Sequence, residues 1–406
     1  MAAAASALGS VRRAHDRYPE VQLKKQLLST TAFVAASLIA AAGTAQAQKA
    51  QAPKFEVKGF MEQTFGAAFG LEEGAIGNRV TFDQFNETEI HFIGTATLDN
   101  GVTFRAVVEL EGDGDGTPAP ATDVIDESYL QIRGAFGQIN LGSTDSAATL
   151  GTTGYLGSWA TQVGQNLLFD TGDWIPAPPG MRVSPDGAIS DVRLRSLADD
   201  SNMITYFTPR FFGFQFGASY IPNVEQDANL SVATSDSVYN NGYAFALNFD
   251  EKFDQVHIGL ATGFLHWSAP DASTNPDAKA WNIGGSVEFM GFKVAGAYKR
   301  QWDFRDSFGA STTTSLSGNR WEVGARYTFG PNAVSVVYGD GEQERLISNS
   351  NDERLRNLMA AYRRALGPGV FWYANFTWAD YEGESAVSTT DDNSGYAIST
   401  GIRLNF

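Results

Sequence analysis

The chain has 406 residues, a formal net charge of −17 and no cysteine. Without cysteine, disulfide crosslinks and thiolate chemistry are excluded. The acidic excess argues against a nucleic-acid partner, because neutralising phosphates requires clustered Lys and Arg. No run of about 20 apolar residues follows the N-terminal region, so a helical membrane protein is excluded as well.

The N-terminal region resembles an export signal in its order of segments. Two lysines precede an apolar stretch at 27–42, and a small-residue Ala-Gln-Ala site ends at Ala47. This order is typical of a secretory signal peptide, and the stretch is short for a membrane span. We predict cleavage between Ala47 and Gln48. The predicted segments are an upstream extension at 1–20 ahead of a start at Val21, a signal peptide at 21–47 and the mature domain at 48–406.

Period-two alternation dominates the mature chain. In residues 321–329, the odd-numbered positions are apolar or aromatic, whereas the even-numbered positions are polar or small. Successive side chains of a β-strand point to opposite faces, so this pattern predicts strands with one apolar and one polar face. Sixteen such segments are predicted, near 54–69, 86–98, 101–111, 124–134, 137–144, 201–208, 213–222, 241–249, 255–267, 279–289, 291–303, 319–329, 332–340, 354–365, 369–381 and 394–406.

Short turns and long polar loops alternate between these segments. An even strand number with this alternation is typical of an outer-membrane β-barrel. Closure of the sheet satisfies every backbone group in a medium without water. A soluble β-sandwich is the alternative, but aromatic residues gather near strand ends, as in the girdles of a membrane barrel. The sequence therefore predicts an all-β, sixteen-stranded antiparallel transmembrane barrel, and its longest loop is the third long one, 145–200.

Several segments, in this order and spacing, resemble the Gram-negative general porins, in an alphaproteobacterial-like form. They are Glu89-Ile90-His91-Phe92 with Thr97-Leu98-Asp99-Asn100-Gly101, Asp126-Glu127-Ser128-Tyr129-Leu130 with Gly137-Gln138-Ile139-Asn140-Leu141-Gly142-Ser143, Ile204-Thr205-Tyr206-Phe207-Thr208-Pro209 with Gly213-Phe214-Gln215, and the terminal Phe406. The resemblance implies a homotrimer in outer-membrane lipid with lipopolysaccharide. It also implies a third loop folded into the lumen and recognition of Phe406 by the barrel-assembly machinery. The enterobacterial Pro-Glu-Phe-Gly-Gly loop motif is absent, so no single loop residue is carried over.

Alternation also predicts which charged residues line the lumen, because a cation facing lipid near the midplane costs about 2–4 kcal/mol. The predicted wall residues are Lys58, Arg105, Glu109, Glu127, Tyr129, Arg133, Arg326 and Arg363. The long loop contributes Asp145, Asp170, Asp173, Asp186, Asp191, Asp199 and Asp200. We hypothesise that some of these aspartates face the basic wall and create a transverse field at the narrowest point. The alternative is that they are ordinary solvated loop residues.

The predicted function is an outer-membrane channel for passive diffusion of small hydrophilic solutes and ions. The acidic excess favours weak cation selectivity. The alternatives are a substrate-specific channel for sugars or amino acids, guided by an aromatic track, and a non-conducting adhesin or structural barrel. No enzyme is predicted, because no Gly-x-Ser-x-Gly elbow is present and no His is paired locally with a Ser. No cofactor is expected, although Gly112-Asp113-Gly114-Asp115-Gly116 offers carboxylates for a divalent cation such as Ca²⁺ in an outer loop.

Overall fold

The computed structural model describes residues 51–71, 82–112, 125–164, 168, 171–178, 181, 189–194, 200–223, 239–269, 277–305, 315–344, 352–383 and 392–406. Most of these residues belong to sixteen strands. The strands are β1 (Gln51–Phe69), β2 (Phe82–Thr97), β3 (Thr103–Glu111), β4 (Ile125–Gly134), β5 (Gly137–Ser143), β6 (Asn202–Phe207), β7 (Phe214–Asn223), β8 (Asn240–Phe253), β9 (Val256–Ser268), β10 (Ala278–Phe289), β11 (Phe292–Arg305), β12 (Ser315–Phe329), β13 (Asn332–Glu344), β14 (Glu353–Gly367), β15 (Val370–Glu382) and β16 (Asn393–Asn405).

The strands form one closed antiparallel barrel. Each strand pairs with its neighbours in sequence, and β1 pairs with β16 from Phe60 opposite Asn405 to Phe69 opposite Tyr396. Closure pairs the first and last strands, as a span through hydrocarbon requires. The predicted sixteen-stranded antiparallel barrel is confirmed. Strand β8 continues to Phe253, beyond its predicted end, because its ladder with β9 extends to Val256.

The outward face is apolar along most of the barrel. Leu260, Ile283 and Val294 expose 52%, 51% and 55% of their surface, although each lies within a fully paired strand. Such exposure of large apolar residues is expected of a surface covered by lipid. Stacked aromatic rings occur on this face, for example Phe292 and Tyr327 with centroids 4.0 Å apart. The barrel therefore has an apolar outside with aromatic pairs near the strand ends.

Tight turns define one end of the barrel. Between β10 and β11, Met290 and Gly291 have φ values of 49° and 85°. A two-residue turn with positive φ at both positions matches the right-handed twist of the flanking strands. We call this end the short-turn end and the opposite one the long-loop end. No helix in the described ranges combines the length and the apolar content that crossing a bilayer requires.

The described residues of the third long loop, between β5 and β6, lie inside the barrel. Its apolar side chains Trp174, Ile175 and Ile189 are buried in one cluster with Leu355 and Tyr381 of the wall. The predicted position of this loop in the lumen is confirmed. Its described elements are three single helical turns, α1 (Ala147–Leu150), α2 (Gly157–Thr161) and α3 (Thr171–Trp174), and a 3₁₀ turn at Thr153–Tyr155.

Candidate functional site

The loop lies along one side of the barrel wall. Turn α1 contacts β7, β8 and β9, α2 contacts β10 to β13, and α3 contacts β15 and β1. Inner-face side chains beneath the loop, such as Asn248, Asn282 and Glu322, are buried. Inner-face side chains on β2 to β5 are mostly half-buried or exposed. At the height of the loop, the water-accessible wall of the lumen therefore lies along β2 to β5, opposite the loop.

Small residues on the inner face make room for the loop. A Cβ atom added to Gly341 would lie 2.7 Å from the Ile189 Cα atom of the loop. A Cβ atom added to Gly324 would lie 2.1 Å from Thr161 Oγ1. Real Cβ atoms do not approach other atoms this closely, so these positions require glycine for the loop to reach the wall.

Five buried side chains from alternate strands hold the loop in place. Each lies on the inner face of β8, β10, β12, β14 or β16 and donates a hydrogen bond to a loop carbonyl oxygen. We call them the anchoring donors. The bonds are Asn248 to Gly151 (2.9 Å), Asn282 to Val192 (3.0 Å), Arg320 to Ile189 (2.6 Å), Asn357 to Leu168 (2.8 Å) and Asn393 to Pro176 (2.7 Å). Because buried carbonyl groups need partners, these donors replace the water that the loop gives up.

Arg320 is the central anchoring donor. Its guanidinium is fully buried and also donates to Glu322 Oε1 (2.8 Å) and Asn357 Oδ1 (2.8 Å). The other carboxylate oxygen of Glu322 accepts the backbone N–H of Ser158 in α2 (3.0 Å). One buried ion pair therefore ties two separate points of the loop to β12. The sequence did not predict this pair, because the alternation places Arg320 on the inner face but does not distinguish a buried arginine from one that faces the lumen.

A second charged group stabilises the loop itself. The Asp191 carboxylate accepts from Arg193 Nε (2.6 Å) and from Trp159 Nε1 (3.0 Å). The guanidinium of Arg193 lies over the Trp159 ring, 3.6 Å from its centroid. Burial alone would raise the pKa of Asp191, but Arg193 and Lys299 outweigh burial and hold that pKa at about 2. We call Asp191, Arg193 and Trp159 the Asp191 cluster.

The low pKa of Asp191 gives the loop a predicted acid limit. The pKa of Asp191 in the folded loop, about 2, lies below the ordinary value of about 3.9. The ionised carboxylate therefore contributes its full stabilising free energy to the folded loop above about pH 4, and this contribution is lost as pH falls towards 2. We expect pepsin to cleave the native loop faster as pH falls through this window. In Asp191→Asn, cleavage should already be fast at pH 4–5 and should change less with pH. Identical pH profiles for the two proteins would contradict this role.

The open wall carries a group of acidic residues towards the long-loop end. His91 Nε2 lies 2.8 Å from Glu89 Oε2, and His91 Nδ1 lies 3.5 Å from Glu109 Oε1. Glu127 Oε1 accepts the backbone N–H of Asp145 (3.0 Å) and the hydroxyl of Thr144 (3.0 Å). The ligand atoms of Glu89, His91 and Glu109 lie within 4.8 Å of one another, as do those of Glu89, Glu111 and Asp126, so these residues could hold a cation.

The predicted basic residues lie nearer the short-turn end. Arg133, two residues before the β4–β5 turn, is exposed and donates to Gln138 Oε1 (2.9 Å). Lys58 Nζ lies 3.3 Å from Glu56. Arg326 lies 3.2 Å from Glu288. The remaining predicted wall residues lie on the same inner face: Arg105, which is opposite Gln131, Tyr129, which is opposite Val107, and Arg363, 5.4 Å from the Phe371 ring centroid.

Those loop aspartates that the structure describes are not gathered opposite the basic wall. Asp145 lies beside Glu127, Asp173 is exposed in α3, and Asp191 is neutralised within its own cluster. Asp170, Asp186, the predicted cleavage site at Ala47 and Gln48, and the predicted calcium loop from residue 113 onwards lie outside the described residues. Phe406 directly follows β16, and its backbone exchanges two hydrogen bonds with Gly59. The predicted transverse field therefore has no described pair of opposed charges to support it.

Several known proteins resemble this chain in sequence or in structure. The chain is 24% identical over 227 residues to an outer membrane porin protein of Bordetella pertussis, in an alignment that covers 50% of this chain and 57% of that protein. An anion-selective porin from Comamonas acidovorans has a similar structure, with a TM-score of 0.60 and 16% identity over 87% of this chain and 100% of the other. The outer membrane protein OmpT of Vibrio cholerae in its trimer form matches with a TM-score of 0.55 and 10% identity, over 88% and 100%.

A sequence model described as Gram-negative porin matches residues 31–384. This range includes nearly all of the barrel and the whole lumen loop. Since the match covers well over half of the chain, this outer-membrane β-barrel belongs to the Gram-negative porin family.

Proposed function

We propose that the protein forms a water-filled channel through which small hydrophilic solutes and ions diffuse passively across the outer membrane. The observation that carries the proposal is the inner face of β2 to β5. Charged side chains such as Glu89, Glu109 and Arg133 stay partly exposed inside a closed barrel whose outer face is apolar. Side chains of this kind favour a hydrated lumen, because an unhydrated charge is costly to bury.

The test is conductance in planar lipid bilayers. Purified protein should insert and produce discrete, long-lived ionic current steps. A salt gradient across the bilayer then reports selectivity through the reversal potential. We propose a weak cation preference, because the described lumen holds acidic and basic groups in similar numbers while the whole chain carries −17. Absence of any conductance would favour the alternative of an adhesin or structural barrel.

A general channel fits the aromatic residues better than a sugar-specific one. A sugar track needs successive aromatic faces that are open to the solute. Arg403 covers the Phe60 ring at 3.6 Å, whereas Phe207 lies beneath the loop against Gly151. Tyr373 is buried. These three inward aromatics are therefore covered, which leaves no continuous track of open rings, and we propose diffusion without a dedicated sugar site.

We also propose a homotrimer, supported by polar side chains on the lipid-facing side. On the outward face of β1 and β2, Gln63 Nε2 donates to Asn86 Oδ1 (2.5 Å) and Gln84 Nε2 donates to Gln63 Oε1 (2.7 Å). Gln63 lies between the exposed Met61 and Phe65, within the apolar band. Each unsatisfied polar group in hydrocarbon costs several kcal/mol, so these amide side chains are more stable in contact with a neighbouring subunit than in contact with lipid.

Replacing this amide patch should weaken the trimer. In Gln63→Leu/Asn86→Leu, we expect the oligomer to dissociate at a lower temperature on mildly denaturing gels, because its polar contacts across the interface are lost. The matched control is Thr262→Leu, a polar residue on the outward face of β9, which should leave the dissociation temperature unchanged. If the patch instead faces lipid, the double variant will be as stable as the wild type or more stable.

Two further partners are proposed from the resemblance. Lipopolysaccharide would contact the outward charged groups near the long-loop end. There the Arg354 guanidinium lies 2.7 Å from the Asp340 carboxylate, and the Arg356 guanidinium lies 2.7 Å from the Asp380 carboxylate. The barrel-assembly machinery would read the terminal Phe406, whose side chain is exposed at the end of β16.

A further inference from the structure

Charges inside the barrel are separated along its axis. Towards the short-turn end, nine basic side chains lie on the inner face or in a turn at its mouth. They are Lys54, Lys58, Arg105, Arg133, Arg210, Lys252, Lys293, Arg326 and Arg363. Arg403 and Glu62 form an ion pair (3.2 Å) at the boundary with the next level, because Glu62 lies opposite Glu87. The described carboxylates at this level, counted in the same way, are fewer: Glu56, Asp250 and Glu288 on the inner face, each within 4 Å of a cation or histidine, and Asp99 and Asp254 in the turns. We call this level the basic section.

The opposite charge prevails towards the long-loop end. The described inner-face carboxylates on β2 to β4 and at the start of the loop are Asp83, Glu87, Glu89, Glu109, Glu111, Asp126, Glu127 and Asp145. Cations at this height, Lys299, Arg320 and Arg193, are buried beneath or within the loop and cannot meet the solute. His91 is the one basic residue among the described, partly exposed inner-face groups of β2 to β5 at this level. We call this level the acidic section.

The two sections are far enough apart to act separately. On β3, Arg105 and Glu109 are four residues apart, and a strand rises about 3.4 Å per residue, so their backbones are about 14 Å apart. The Debye length is about 10 Å at 0.1 M salt and about 3 Å at 1 M. Each section therefore gathers its own counterions at low salt: cations in the acidic section and anions in the basic section.

We infer that the channel rectifies, which rests on the proposed conducting function. When the extracellular side is positive, cations move from the acidic section and anions from the basic section towards the middle of the lumen. Both ions then accumulate there and the conductance rises. The opposite voltage pulls both ions away from the middle, depletes it and lowers the conductance. Current is thus larger with the long-loop end positive.

The experiment is a current–voltage recording of single, oriented channels. Because the chain has no cysteine, Ala135→Cys in the β4–β5 turn is a unique handle on the short-turn side. A thiol-reactive polymer too large to cross the lumen will reduce conductance only from that side and so report orientation. In symmetric KCl of about 0.1 M at about pH 8, where ordinary carboxyl groups are ionised, we expect currents at opposite voltages to differ by about 1.5-fold or more. At about 1 M salt the ratio should approach one.

Substitutions test which residues cause the rectification. Arg105→Gln/Arg133→Gln removes one half-buried and one exposed cation of the basic section, and the ratio of the two currents should fall towards one while conductance persists. Arg354→Gln is the matched control, because this arginine lies on the outward face and pairs with Asp340. A linear current–voltage curve at low salt, or larger currents with the long-loop end negative, would overturn the inference and leave the diffusion channel intact. An absence of current would contradict the proposed function itself.

Discussion

Replacing Arg320 by methionine is expected to release the loop from the wall and to raise single-channel conductance. The substitution removes one partner of a buried ion pair and leaves Glu322 without its cation, which costs about 3–5 kcal/mol. The barrel ladder between β12 and its neighbours uses backbone groups and is not touched. Each 1.4 kcal/mol changes the equilibrium between the attached and the released loop about tenfold. Protease cleavage of the native loop should therefore accelerate by about 10²-fold or more.

A second substitution separates this explanation from general damage. In Arg320→Met/Glu322→Gln the lone buried charge is gone, while the amide oxygen can still accept the N–H of Ser158. Conductance and cleavage rate should therefore return part of the way to wild type. Arg354→Met, which removes a partly exposed pair on the outer face, should change neither quantity. If conductance in Arg320→Met equals that of the wild type, the anchoring role of this pair is wrong.

Placing arginine at Leu260 is expected to impair insertion of the barrel. Leu260 lies midway along β9 on the outward face, with 52% of its surface exposed. A cation facing lipid near the bilayer midplane costs about 2–4 kcal/mol. The denaturant midpoint of the refolded protein in lipid vesicles should fall accordingly, and the yield of folded barrel should decrease.

The matched control places the same side chain on the opposite face. Glu87 lies on the inner face of β2, exposed and among other carboxylates. Because water solvates the lumen, Glu87→Arg should leave folding stability within about 0.5 kcal/mol of wild type, as for an ordinary surface substitution. Equal destabilisation by both substitutions would show that the two faces have been assigned incorrectly.

The barrel could be predicted from the sequence because its signals are local. Alternation in segments such as 321–329 identifies both the strand and its two faces, and turn residues such as Met290-Gly291 mark where it reverses. The even number of strands then requires the termini to meet at one end, where Phe406 and Gly59 are paired. The position of the long loop came from the family resemblance instead, since its sequence has no periodicity that points inward.

The attachment of the loop could not be predicted, because its partners are far apart in sequence. Asn248 and Gly151 are 97 residues apart, and Asn393 and Pro176 are 217 residues apart. A usable signal existed: polar amides at inner-face positions flanked by glycine and alanine, as at Asn282 between Ala280 and Gly284. The neutralisation of Asp191 by Arg193 was equally hidden, because it depends on the irregular conformation of the loop.

The most direct test of the account is solute entry into liposomes that contain the purified protein. Liposomes are loaded with a polymer and diluted into isotonic solutions of uncharged sugars of increasing size. The account predicts rapid swelling with small sugars and a gradual decline with size, together with faster entry of larger sugars through Arg320→Met. Failure of the smallest sugars to enter, or entry of one sugar regardless of size order, would contradict a general diffusion channel narrowed by its loop.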